Sequence, residues 1–259
     1  MRYKQLPENK RGRDFVLGDL HGCYTILKSL LAEAGFNNDI DRLILVGDLI
    51  DRGPESEKCL QLLLEPWCFS VQGNHEQMFC DAADHNLTWL TINDYWHPDN
   101  GGGWTRDWFE RHAPELKFWS GMIKQLPYVI HVQGNKPFWV VHAELWSPIH
   151  DVNEQNVQTI VEKSDPAQIR ILQWSRMLAK HKTIGRRTTL PGPIYCGHTP
   201  TSKPANERFG HWNIDAGAGV GQWAMQFGVP NPSLFLYCHT TGQSFRCPVD
   251  QWLVKASKD

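Results

Sequence analysis

Five short apolar runs in this 259-residue chain lead, within a residue or two, into a side chain able to bind a metal ion or carry a proton. Phe15-Val16-Leu17 runs into Gly18-Asp19-Leu20-His21-Gly22, and Leu43-Ile44-Leu45-Val46 into Gly47-Asp48-Leu49-Ile50-Asp51-Arg52-Gly53. Cys68 to Val71 precedes Gly73-Asn74-His75-Glu76, Phe138 to Val141 precedes His142-Ala143, and Ile194 to Cys196 precedes Gly197-His198-Thr199. Such runs read as buried strands, most of them stopped by glycine. Between the first two, Ile26, Leu27, Leu30, Leu31 and Ala34 recur at helical spacing over Thr25 to Ala34, with Gly35 as a stop. That is a β-α-β unit, and a helix over Ser56 to Leu64 before Cys68 repeats it. Alternation of this kind predicts an α/β fold with a mainly parallel sheet, whose ligands gather at the carboxyl ends of the strands.

The pattern changes from about Cys80 to Leu126, where Trp89, Trp96, Trp104, Trp108 and Trp119 lie among polar residues. This stretch reads as a helical insertion, with Gly101-Gly102-Gly103 as a tight or flexible loop. Strands return at Tyr128 to Val132, Phe138 to Val141, Ile194 to Cys196, Trp212 to Ile214 and Leu234 to Cys238. Asp151 to Lys182 reads as helical in parts and Thr183 to Pro193 as a loop. With 41% hydrophobic residues, the chain can bury one large core, so residues 1–259 are expected to form a single domain. A net charge of -2 supplies no general attraction to nucleic acid or anionic membrane. Seven cysteines without a CxxC pair read as reduced, packed thiols. No signal core opens the chain, and no apolar run approaches the roughly 20 residues of a membrane span, so a cytoplasmic protein is expected.

Carboxylate, amide and imidazole donors suit hard to borderline divalent ions such as Mn2+ or Fe2+. Two such ions about 3.5 to 4 Å apart bridge and activate a water and clamp phosphoryl oxygens during in-line attack. Asp48 is the natural bridging carboxylate; Asp19 and His21 complete one metal, and Asn74, His142 and His198 the other. His75, next to a ligand but not needed as one, can protonate the leaving oxygen, with Asp51 orienting its imidazole. Arg52 can hold phosphate oxygens bidentately.

Taken together, GDLHGCY, GDLIDRG, GNHE, VVHAE and CGHTP resemble the phosphoprotein phosphatase family of metallophosphoesterases, above all its phage lambda and bacterial members. The GGGW loop at Gly101 to Trp104, the Gln173-Trp174-Ser175-Arg176 segment and Ile214 to Gly219 extend the resemblance from about Phe15 to Tyr237. It implies a calcineurin-like fold, a four-layer α/β/β/α sandwich with the helical insertion. It also implies two metals, usually Mn2+, with Fe2+, Ni2+ or Zn2+ as alternatives. The same ligands and general acid follow from it, and it adds Arg176 as a second phosphate-binding arginine beside Arg52, with Asn74 also at the substrate. The implied reaction is removal of phosphate from phosphoserine or phosphothreonine in proteins, and from phosphotyrosine as well, by direct attack of a metal-bridging water or hydroxide. Phosphorylated proteins or peptides are the implied partners.

Symmetrical dinucleoside tetraphosphate hydrolases share the first motif but differ from this chain at Asp51 and Glu76, which favours the protein phosphatase. A nuclease would need a basic groove, and Gly185-Arg186-Arg187 is the only basic cluster of note. A non-catalytic scaffold would have lost a ligand, and none is missing. His85, His97, His112, His131, His150, His181, His211 and His239, all outside the motifs, read as surface or packed residues. Trp104 could reach the substrate behind its glycines, Glu76 reads as structural, and Asp215 as a brace for the metal-site loops.

Overall fold

Alternate residues of the apolar runs face two different cores, and this decides the architecture. The computed structural model describes residues 1–84, 100–180, 187–219 and 228–249. In β2 (Asp14–Leu17) and β3 (Arg42–Leu45), Phe15, Leu17, Leu43 and Leu45 point to a helix-covered core. Val16 and Ile44, between them, point to a second core shared with another sheet. A strand buried on both faces has no polar side, which is why these runs read as continuously apolar.

The first sheet has the order β13-β12-β2-β3-β4, with β4 at Cys68–Ser70, β12 at Ser233–Cys238 and β13 at Ser244–Pro248. Strands β2, β3 and β4 are parallel neighbours, whereas β12 runs antiparallel to both β2 and β13. The second sheet has the order β1-β5-β6-β9-β11-β10. Its members are β1 (Tyr3–Leu6), β5 (Val129–Val132), β6 (Phe138–Val141), β9 (Ile194–Cys196), β10 (Asn206–Arg208) and β11 (His211–Asn213). A small pair, β7 (Val152–Asn153) with β8 (Thr188–Thr189), stands apart. Ile130, Val132, Phe138, Val140 and Tyr195 of the second sheet meet Val16, Ile44 and Val71 of the first in the shared core.

Helices cover both outer faces. Against the first sheet pack α1 (Tyr24–Glu33), α2 (Ser56–Gln61), α3 (Asn74–Asp84), α4 (Arg106–Glu110) and α5 (Pro114–Ile123). Against the second pack α6 (Val157–Glu162) and α7 (Pro166–Trp174), with α8 (Met177–Lys180) after them. The result is the four-layer α/β/β/α sandwich. The mainly parallel sheet read from the alternation of strands and helices is in fact two mixed sheets, since apolar runs alone carry no information on which strands pair. Strands β1, β10 and β13 escape the sequence reading because edge and near-edge strands such as Asn206-Glu207-Arg208 need backbone partners more than apolar side chains. Helix α3 begins at Asn74, so the stretch assigned to an insertion from Cys80 opens inside a helix that the metal motif itself starts. Trp89, Trp96 and Arg186 lie outside the described residues.

Candidate active site

Parallel register aligns the ends of β2, β3 and β4, with Leu17 opposite Leu45 and Leu45 opposite Ser70. Asp19, Asp48 and Asn74 therefore emerge side by side. Across the shared core, β6 and β9 are parallel as well, so His142 and His198 leave the second sheet together. Asp19, His21, Asp48, Asp51, Asn74, His75, His142 and His198 are all buried, whereas Arg52 is exposed and Arg176 half-buried. Five of these residues hold a left-handed backbone: His21 (φ 42°), Asp48 (φ 52°), Asp51 (φ 75°), Arg52 (φ 68°) and His198 (φ 68°). Such conformations cost a non-glycine residue of the order of 1–3 kcal/mol each, and their crowding here marks a site the rest of the fold holds in place. Gly197 is required by proximity, since a Cβ there would collide with Asp19 Oδ1.

Each of three histidines commits one ring nitrogen to a backbone carbonyl. His21 Nδ1 donates to Ile50 O (2.9 Å), His142 Nδ1 to Val46 O (2.8 Å) and His198 Nε2 to Trp174 O (3.2 Å). Burial lowers the pKa of all three, keeping the rings neutral and leaving a lone pair on the other nitrogen. His142 Nε2 then lies 2.8 Å from Asn74 Oδ1, 3.2 Å from His198 Nδ1 and 3.4 Å from Asp48 Oδ2, and His198 Nδ1 lies 2.9 Å from Asn74 Oδ1. Four lone-pair atoms converge with no proton to share. That is an arrangement a divalent cation satisfies.

Two candidate metal groups result, His21-Asp48-His75 and Asp48-His142-His198, with Asp48 common to both. Asp48 Oδ2 is 3.6 Å from His21 Nε2 and 3.8 Å from His75 Nε2. Asp19, assigned to the first metal from sequence, stands slightly further out, its Oδ2 4.0 Å from His21 Nε2 and both oxygens accepting from His198 N. Burial, followed by Asp215 and Asp48, pushes the Asp19 carboxyl well above its ordinary value. Burial opposes ionisation of Asp48 too, and its Oδ2 faces the ring nitrogens of His21 and His142. Buried carboxylates this close repel one another unless a cation joins them.

On the open side, His75 Nδ1 donates to Asp51 Oδ2 (2.6 Å), and Trp104 Nε1 donates to Asp51 Oδ1 (2.8 Å). Arg52 reaches between the two sides, its Nη1 donating to His21 Nε2 (2.6 Å) and its Nη2 to His75 Nε2 (3.0 Å). Arg176 Nη1 donates to His198 O (2.7 Å) and Thr199 Oγ1 (2.9 Å), which puts its guanidinium at the rim of the same cluster. All ten residues singled out from sequence thus meet at one place.

Three supporting residues have contacts that the sequence could not specify. Glu76 accepts from the backbone N–H groups of Asp48 (2.8 Å), Leu49 (2.8 Å) and Gly73 (2.9 Å), tying the second and third motifs together. Burial and the Asp48 charge push its carboxyl up to about 8. Asp215 spends one oxygen on Gly217 N (2.8 Å), while its buried Oδ2 has no hydrogen-bond partner; burial raises its pKa to about 6. Trp104 brings the insertion onto the site, and Gly101 O accepts from Arg52 N (3.4 Å) beside it. Gly101 adopts φ 85°, and a Cβ there would collide with the Arg52 backbone.

Residues 15–228 match the calcineurin-like phosphoesterase family. The chain is 32% identical over 224 residues to serine/threonine-protein phosphatase 1 of Salmonella typhimurium, covering 85% of this chain and 93% of that protein. A symmetrical bis(5'-nucleosyl)-tetraphosphatase of Pseudomonas entomophila is 45% identical over 82 residues, 31% of this chain and 28% of that protein. In three dimensions a protein serine/threonine phosphatase from Saccharomyces cerevisiae superposes with a TM-score of 0.60 at 15% identity, over 95% of this chain and 82% of that one.

Proposed function

The chain belongs to the calcineurin-like phosphoesterase family, and from that premise we propose that it removes phosphate from phosphoserine and phosphothreonine in proteins, with phosphotyrosine as a further substrate. The observation that carries the reading is the proton-free contact among His142, Asn74, His198 and Asp48. Together with Asp19 and His21, these residues would hold two divalent cations with Asp48 between them. Oxygen and imidazole donors without a thiolate suit Mn2+, with Fe2+, Ni2+ and Zn2+ as alternatives. Bound there, the pair supplies an activated water and neutralises phosphoryl charge.

The chain's own residues do the rest. Arg52 and Arg176 receive the phosphoryl oxygens, and Asn74 lies against the same group. A phosphate that draws the Arg52 guanidinium towards itself frees His21 Nε2 for a ligand role. The same movement releases His75 Nε2 to carry a proton. His75, with Nδ1 fixed on Asp51, then protonates the leaving oxygen of the serine or threonine side chain. Trp104 keeps Asp51 in position through its other oxygen.

Protein substrates are favoured by the extent of likeness to the Salmonella typhimurium phosphatase, 85% of this chain against 31% for the tetraphosphatase. The tetraphosphatase reading keeps one point in its favour, the higher identity within its shorter match. All seven cysteines are free thiols, which suits action on phosphoproteins in a reducing cytoplasm. No helix among the described residues is long and apolar enough to cross a membrane. The test is a parallel assay of the Mn2+-loaded protein on a phosphoserine peptide, a phosphotyrosine peptide and diadenosine tetraphosphate. Metal-dependent phosphate release from the peptides in excess of the dinucleotide is expected; a strong preference for the dinucleotide would reject the protein phosphatase reading.

A further inference from the structure

A cavity of about 380 Å³ adjoins the candidate active site on the Arg176 side. Its walls come from the turn after β6, the turn after β9, α8 and the β10 edge strand. Arg176, Lys180, Lys203 and Arg208 line it. Arg176 and Arg208 have partners of their own, so Lys180 and Lys203, both exposed, carry the cavity's charge in a chain whose net charge is -2. Among the described lining residues the only carboxylate is Glu144, and it is buried with both oxygens engaged. Glu144 Oε1 accepts from Leu178 N (2.6 Å), and Oε2 accepts from Trp146 Nε1 (2.9 Å) and from the Ser175 hydroxyl. The charge of Glu144 is thus directed at its own donors. His211 on the same wall adds no charge, because Nδ1 donates to Phe209 O (3.0 Å), Nε2 accepts from Leu145 N (2.9 Å), and burial lowers its pKa to about 4.

Arg176 links the cavity to the reacting group. Its Nη1 is tied to His198 O and Thr199 Oγ1, and Gly197 and Thr199, on either side of the candidate ligand His198, form part of the cavity wall. A phosphorylated residue held at Arg52 and Arg176 would have this cavity, with Lys180 and Lys203 in its lining, beside it. We propose that this cavity is a second anion site, which takes a carboxylate or phosphate carried by a residue flanking the phosphorylated one. The proposal rests on the protein phosphatase reading and gives its substrate class: phosphopeptides acidic beside the phosphosite.

The experiment compares two phosphoserine peptides that differ only in having aspartates or asparagines beside the phosphoserine, using the Mn2+-loaded full chain and K180E/K203E. The neutral peptide is the internal standard for any loss of folded or metal-loaded protein. Two exposed charge contacts are expected to give the wild type a preference in kcat/KM of up to about tenfold for the acidic peptide, expressed in KM. The preference should shrink as salt rises, because the Debye length falls from about 10 Å at 0.1 M to about 3 Å at 1 M. In K180E/K203E it should vanish or invert. Equal use of both peptides by the wild type, or an unchanged ratio in the variant, would overturn the anion site while leaving the phosphatase reading intact. Hydrolysis of p-nitrophenyl phosphate with neither peptide used would instead reject the phosphatase reading, and this proposal with it. A raised KM for diadenosine tetraphosphate in the variant, without a change in the peptide ratio, would reassign the cations to a polyphosphate and also overturn the proposal.

Discussion

His142 and His211 lie in neighbouring parts of the second sheet, are both buried, and are both fixed by a ring nitrogen that donates to a backbone carbonyl. What their other nitrogens face separates them. Around His211 that nitrogen accepts from Leu145 N, and the corner is closed. Around His142 it faces Asn74 Oδ1, His198 Nδ1 and Asp48 Oδ2, all of them acceptors. Burial alone does not mark a candidate ligand histidine; a buried lone pair opposed by other lone pairs does.

The strongest way to break this contrast is to remove the charge that the acceptors share. Asp48→Asn should weaken metal binding by more than about 100-fold, beyond the loss usual for a residue that merely supports a ligand. Metal per chain, measured by elemental analysis after desalting, should fall well below the wild-type value. Full occupancy in the variant would show that the corner around His142 does not depend on Asp48. His75→Asn makes the complementary cut. Metal content should persist while kcat drops by about 100-fold or more, the usual worth of general acid catalysis. Unchanged turnover would remove His75 from the reaction.

The corner around His211 makes a prediction about stability. Folding favours neutral His211, whose pKa falls from 6.5 to about 4. Its contribution is fully present above pH 6.5 and is lost as pH falls through that window, because the unfolded chain takes up a proton that the folded one refuses. The loss is of the order of 3 kcal/mol, at 1.36 kcal/mol per pKa unit. Urea unfolding at pH 7 and pH 5 should show a steeper decline for the wild type than for His211→Gln, which cannot take up that proton. Parallel declines would mean that His211 is not the sensor.

How much of this was legible in the sequence follows from the same contrast. Asp19, Asp48, Asn74, His142 and His198 could be read because each ends an apolar run, and parallel strands bring such ends together. The pairing of the runs into two sheets could not, since Phe15 and Val16 are equally apolar yet face different cores. Glu76 looked structural and is, but that it joins two motif loops through three N–H groups depends on strand order. The cations of the second anion site are scattered from Arg176 to Arg208, with no run to announce them. Arg176 was visible only through resemblance.

Trp104 lies between the legible and the illegible. A glycine run followed by tryptophan suggests a ring placed near something, without saying what. Its indole N–H donates to Asp51 Oδ1, while Asp51 Oδ2 accepts from His75 Nδ1, so one carboxylate is held from both sides. The ring also packs at 5.1 Å from Trp108 and 6.3 Å from Phe79, which anchors it in the helical layer. Trp104→Phe keeps most of that packing and removes the donor. Losing one hydrogen bond to a charged group corresponds to about 1.5–3 kcal/mol when fully expressed, and less where water replaces it. Because Asp51 keeps its bond to His75, we expect a fall in kcat of about 10-fold or less, smaller than for His75→Asn, with KM and metal content near wild type. Trp104→His, which retains a ring donor, should recover part of the loss. A purely structural role would lower the melting temperature in step with activity and show no such recovery, and the insertion would then only cover the site without orienting its acid.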